Sequence, residues 1–221
     1  MRRLLAAALV LTLAGCAGSQ GDFRNRPLAA NPSAFIAAEI RFAQRAQEEG
    51  QWTAFRETAH PDAVMFVPER VKAQDWLKSQ KDPAEAVKWQ PHAVYVSCDG
   101  NSGVTTGAWQ KGPANGYFTT VRTRDNKGRL SWVLDHGDAL TTPREAPEFI
   151  ASKLAVCGSR PAVPIEAGGE GEDMAVGLSA DQTLSWTSTV RADKSRRVTI
   201  RLWDGKDMAT VIDDRVAAPR P

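Results

Sequence analysis

The segments VTTGAWQK (104–111), GPANG (112–116), YFTTVRTR (117–124), DNKG (125–128) and, after Arg129, LSWVLDHGDAL (130–140) decide the fold. Apolar and polar residues alternate with period two in the three long segments, and the two short ones carry turn chemistry. That is the signature of antiparallel strands joined by tight connections. One strand more precedes them: Val87 to Cys98 alternates in the same way and ends in the turn Asp99-Gly100-Asn101.

Upstream, the period changes. Ser33 reads as an N-cap, and Phe35, Ile36, Ile40, Phe42, Ala43 and Ala46 recur at helical spacing up to Gly50. Trp52, Phe55 and Ala59 suggest a second helix before His60-Pro61. Ala63 to Val67 reads as a short strand, and Val71 to Gln80 as a third helix stopped by Asp82-Pro83. Helices first and a meander afterwards give a segregated α+β class.

These residues carry a resemblance. Ala38-Glu39 with Phe42, Asp62-Ala63-Val64-Met65-Phe66 and Trp89-Gln90-Pro91 are its first elements. Thr105-Thr106-Gly107-Ala108-Trp109, Gly116-Tyr117-Phe118-Thr119-Thr120-Val121, and Trp132-Val133-Leu134-Asp135 complete it. Residues 33–140 resemble a nuclear transport factor 2-like (NTF2-like) domain of the SnoaL/DUF4440 type. The resemblance implies a cone: three N-terminal helices against a curved, mostly antiparallel sheet, with a pocket at the wide end. It also implies that a homodimer through the sheet face is one available assembly.

Beyond Leu140, residues 141–183 read as a linker with a short helix over Pro147–Val156 and a loop over Gly168–Glu172. Residues 184–221 read as a β appendage, with strands at Leu184–Arg191, Arg197–Trp203 and Met208–Asp213. The basic stretch from Arg191 to Arg201 reads as a solvated edge that discourages strand pairing, or as a contact for acidic lipid or glycan.

The N-terminus carries a second resemblance. Arg2 and Arg3 precede an apolar run from Leu4 to Leu13, too short to span a membrane, and Leu13-Ala14-Gly15-Cys16 follows. This order resembles the bacterial lipobox. It implies that residues 1–15 are a signal peptide, that Cys16 carries lipid, and that residues 16–32 are a flexible tether. Ala17 in place of Asp points to the outer membrane, on the periplasmic side of the cell envelope. The chain has 28 Lys+Arg against 26 Asp+Glu, and Arg2 and Arg3 account for the difference. A formally neutral mature chain has no nucleic-acid footprint. Cys98 and Cys157 remain, and in an oxidising compartment they read as a disulfide or as two separate buried thiols.

No metal or cofactor motif is present, so the candidate chemistry rests on side chains of the pocket. Strand parity puts Trp89 and Tyr95 on one face, and Trp132, Leu134 and His136 on one face of the last meander strand. The expected pocket therefore holds Phe66, Trp89, Tyr95, Trp132 and His136, with Val133 and Asp135 on the outer side. If the domain were an enzyme, His136 (or His60 or His92) is the candidate base and Tyr95 or Tyr117 the candidate donor; Asp62 and Asp135 are attractive by type alone. The leading expectation is a non-enzymatic lipoprotein binding a small apolar ligand or a protein partner. A pocket enzyme of the isomerase or dehydratase kind and a structural envelope protein dimerising through its sheet are the alternatives.

Overall fold

The computed structural model describes residues 30–158, 161, 169 and 171–219. The leader, Cys16 and most of the tether lie outside the described residues.

Three helices come first: α1 (Pro32–Glu49), α2 (Gln51–Thr58) and α3 (Ala73–Leu77). The α1 stripe is Phe35, Glu39, Phe42 and Ala46, all buried, so a carboxylate occupies a core position of an otherwise apolar face. The helix begins at Pro32, with Asn31 rather than Ser33 at its N-cap, since proline is tolerated in the first turn where no donor is needed. A distant loop supplies the cap of α2. Asp82 accepts hydrogen bonds from the backbone N–H of Trp52 and Thr53, at 2.5 and 3.0 Å, and from the Thr53 hydroxyl. The expected helix over Val71–Gln80 is helical only as α3; Arg70–Lys72 instead forms a strand.

Seven strands make the main sheet: β1 (Ala59–Phe66), β2 (Arg70–Lys72), β3 (Lys88–Val96), β4 (Ser102–Lys111), β5 (Ala114–Arg124), β6 (Leu130–Leu140) and β7 (Ala151–Leu154). Their order is β2-β1-β6-β5-β4-β3-β7. All pairs are antiparallel except β1 with β6 and β3 with β7. A second sheet of four antiparallel strands follows: β8 (Asp173–Leu178), β9 (Leu184–Val190), β10 (Arg196–Trp203) and β11 (Met208–Val216). The class is α+β and dominated by sheet.

Two expectations about the C-terminal half change. Pro147–Val156 is not a helix, because Ala151–Leu154 pairs in parallel with Ala93–Val96 and extends the main sheet. The second sheet starts at Asp173, not Leu184, so the expected linker contributes two strands. Cys98 and Cys157 form a disulfide across 59 residues, fixing the end of β3 to the segment that follows β7.

The main sheet is packed on both faces. Its concave face meets the helices through Ala63, Met65 and Trp132, against Phe42, Ala54 and Leu77. Its convex face presents Val104, Val121 and Leu134 to Leu184, Val198 and Ile200 of the second sheet. Residue parity along each strand thus decides which of two cores a side chain enters. Two bulges reset that parity. On β3, Pro91 pairs with Gly107 and Ala93 with Thr106, leaving His92 extra. On β6, Trp132 pairs with Arg122 and Leu134 with Val121, leaving Val133 extra.

Candidate functional site

A cavity of about 150 Å³ lies between the helices and the concave sheet face. Its wall is aromatic: Phe42 from α1, Phe55 from α2, Trp89 from β3, Trp109 from β4 and Phe118 from β5. The rings hold one another in tilted and edge-on contact, with centroids 4.7 Å apart for Phe42–Phe55 and 4.9 Å for Phe42–Trp89. Such pairs add about 0.5–1.5 kcal/mol each beyond their area burial, so the wall is formed without a ligand. Trp89 and Trp109 are direct cross-strand partners. The Trp109 indole lies where a side chain on Gly116 would be, so only glycine lets it rest on β5.

Asp135 supplies the carboxyl of this cavity. Its Oδ2 accepts a hydrogen bond of 2.7 Å from the Thr120 hydroxyl. Burial pushes its carboxyl up to about 7; the Thr120 hydrogen bond works against that, and the charge of Glu39 adds to it. The surface that Asp135 retains faces the cavity, which explains how the residue is only half-buried yet surrounded by protein.

Beside it lies a buried ion pair. Glu39 is fully buried and Arg122 nearly so, and the Arg122 Nη1 donates to Glu39 Oε2. Trp89 Nε1 donates to Glu39 Oε1 at 2.7 Å, and the Thr105 hydroxyl donates to Oε2. The indole that lines the cavity is therefore locked by the same carboxylate that neutralises Arg122. The Arg122 guanidinium also lies 5.4 Å from the centroid of the Phe42 ring.

The expected site residues divide between the two cores. Trp89 lines the cavity. Trp132 is on the concave side but fully buried beneath it, its Nε1 donating to the Phe55 carbonyl at 3.1 Å. Phe66 and Tyr95 belong to the convex side, packed against the core between the sheets. The His136 backbone borders the cavity, but its ring points away. It packs edge-on to Phe66 and Tyr117, with centroids at 5.5 and 5.9 Å. Arg196 Nε donates to its Nδ1 at 3.4 Å, which leaves the ring proton on Nε2, 3.4 Å from the Tyr117 hydroxyl. Burial, helped by the charge of Arg196, lowers His136 to about 3, so the ring is neutral.

The reason is the two bulges. His92 inverts Tyr95 relative to Trp89, and Val133 sends Leu134 and His136 to the convex side while Asp135 turns inward. Of the remaining candidates, the Asp62 side chain is 82% exposed and His60 lies beside it at 3.8 Å, so neither enters a cavity. His92 is the bulged residue, lowered by burial and by Arg144. Asp135, attractive by type but expected on the outer side, lines the cavity, and the Glu39–Arg122 pair is not among the expected site residues. Glu39 in the middle of an apolar helical stripe was the available signal, and Thr120 and Arg122, in step with Phe118 on β5, were another. Among the described residues no group of three His, Cys, Asp or Glu could hold a metal ion.

No protein-family model matches the chain, and no curated protein matches it. Among solved structures it is similar to a candidate ketosteroid isomerase from Parabacteroides distasonis, with 18% identity over 50% of this chain and 88% of that one, TM-score 0.40. It is similar to a cystatin-like fold protein from Burkholderia xenovorans, with 14% identity over 50% and 92%, TM-score 0.40. A third likeness is to an NTF-2-like protein of unknown function from the same species, with 17% identity over 53% and 91%, TM-score 0.34. The likeness concerns about half of the chain.

Proposed function

We propose that this chain is an exported lipoprotein, tethered to the outer membrane through lipid on Cys16, whose NTF2-like domain holds one small and largely apolar ligand. The observation that carries the ligand reading is the Asp135 carboxyl set in a preformed aromatic cavity. An apolar wall with one or few placed polar groups is how small-molecule sites are built. The volume fits a molecule near the size of benzene, which occupies apolar cavities of about this size. Leu13-Ala14-Gly15-Cys16 after the basic and apolar leader supports the tether.

A two-group acid–base enzyme has less support. His136 and Tyr117 make their hydrogen bond on the opposite side of the sheet, so Asp135 is the titratable side chain directed at the cavity.

Native mass spectrometry of protein purified from its own membranes tests the ligand reading, together with amide NMR shifts on adding fragment-sized compounds. A retained small molecule, or shifts centred on Phe118, Thr120 and Asp135, is the expected result. A bare protein whose cavity resonances respond to no fragment would remove it. Processed, membrane-bound Cys16→Ser protein would remove the lipid anchor.

A further inference from the structure

We propose that the cavity takes a small organic cation: an ammonium group carried on a short apolar chain or a single ring. This rests on the ligand-binding reading above and names the chemical class of the ligand.

Charge balance is the first ground. Glu39, Arg122 and Asp135 lie close enough to act on one another electrostatically; the first two are buried, and Asp135 keeps only the surface that lines the cavity. Arg122 is committed to Glu39. Asp135 receives only the Thr120 hydroxyl and forms no ion pair among the described residues. With all three ionised, the group carries one negative charge in excess. A charge removed from water needs a partner, and a cation in the cavity would supply it.

The wall is the second ground. The rings of Phe42, Phe55, Trp89, Trp109 and Phe118 line the space beside that carboxyl. Aromatic faces attract ammonium groups, and desolvation strengthens the attraction. Phe42 already has one cation near it, the Arg122 guanidinium. A neutral apolar guest would use the rings and leave the carboxyl unanswered; a cation uses both.

The titration of Asp135 gives the proposal a pH signature. Its free carboxyl, held at about 7, must ionise when a cation binds, so affinity rises with pH. The charged groups facing it are Glu39 from α1 and Arg122 from β5, already paired with each other. His136 on its own strand, and Tyr117, face the other core.

The test is titration calorimetry of the mature protein with two matched pairs, benzylammonium against benzyl alcohol and n-propylammonium against 1-propanol, at pH 5.5 and 8.5. At pH 8.5 at least one ammonium is expected to bind about tenfold or more tightly than its alcohol, and roughly thirty-fold more weakly at pH 5.5, following the ionised fraction of Asp135. Near pH 7 binding should release a proton, read from two buffers of different ionisation enthalpy. Asp135→Asn should erase the preference for the ammonium and keep alcohol binding. If that variant fails to fold, the pH dependence of the unmodified protein decides. Alcohols that bind as well as the ammoniums at pH 8.5 would overturn the cation and leave the ligand-binding reading intact. No binding by either pair at either pH would overturn both.

Discussion

Asp135 and His136 are neighbours on one strand whose side chains enter opposite sides of the sheet, the half-buried carboxyl toward the helices and the buried imidazole beneath the second sheet. Both hold shifted protonation equilibria, and the shifts pull stability in opposite directions as pH changes.

For Asp135 the folded carboxyl sits at about 7, above the ordinary value of 3.8. The folded state binds the proton more tightly, so this contribution is complete below about pH 4 and is lost as pH rises toward 7. Asp135→Asn removes the loss. The variant should be more stable than the parent at pH 8, by on the order of a few kcal/mol at most, and closer to it at pH 5. Urea unfolding at the two pH values measures the difference.

His136 has the reverse sign. Its folded value of about 3 lies below the ordinary 6.5, so the neutral ring stabilises above pH 6.5 and that contribution fades as pH falls toward 3. His136→Gln should flatten the acid limb of the stability profile between pH 6 and 4, by roughly 1 kcal/mol per pH unit. Over pH 4 to 6.5 the two slopes oppose each other in the parent protein, and a broad stability plateau is the expected outcome. A parent whose stability falls steeply across that window would contradict it.

Glu39→Gln leaves the nearly buried Arg122 guanidinium without its counter-charge. Breaking one partner of such a pair costs about 3–5 kcal/mol. Replacing both with apolar residues of similar volume, Glu39→Leu with Arg122→Met, should cost less than the single change, and denaturant midpoints of the set would show the coupling. The amide keeps one acceptor oxygen where the carboxylate has two, so Trp89 must compete for it with Thr105 and Arg122, and a shift of Trp89 fluorescence should accompany Glu39→Gln.

The Cys98–Cys157 bond closes a loop of about 60 residues. In the chain-entropy account such a closure contributes about 4 kcal/mol. Cys98→Ala with Cys157→Ala, compared with the parent in and out of reductant, should lower the denaturation midpoint correspondingly. Protection of β7 amides against hydrogen exchange should fall further than that of β5.

The meander was legible because its strands alternate cleanly and end in residues that make turns, as at Asp99-Gly100 and Asp125-Asn126-Lys127-Gly128. Helix α1 was legible from its stripe. The faces were not. A bulge adds one residue without altering composition; Pro91, with no N–H to give the ladder, is a local mark of the slip at His92, but nothing around Val133 marks the other. One slip on each strand exchanged Asp135 for His136 and turned Tyr95 away from Trp89. Strand β8 escaped notice because it begins at an acid, carries Gly177 beneath the Trp186 ring, and lies at an edge where alternation is weak. Parallel pairing of β7 depends on a partner distant in sequence, so its local residues were read as helix.

The second sheet has a consequence for assembly. Its strands cover the convex face of the main sheet, so that face already has a partner within the same chain. A partner supplied by the same chain is present at a concentration fixed by the connection, whatever the dilution. Folding of this protein should therefore be insensitive to protein concentration, and a second copy could reach that face only by exchanging one C-terminal sheet for another.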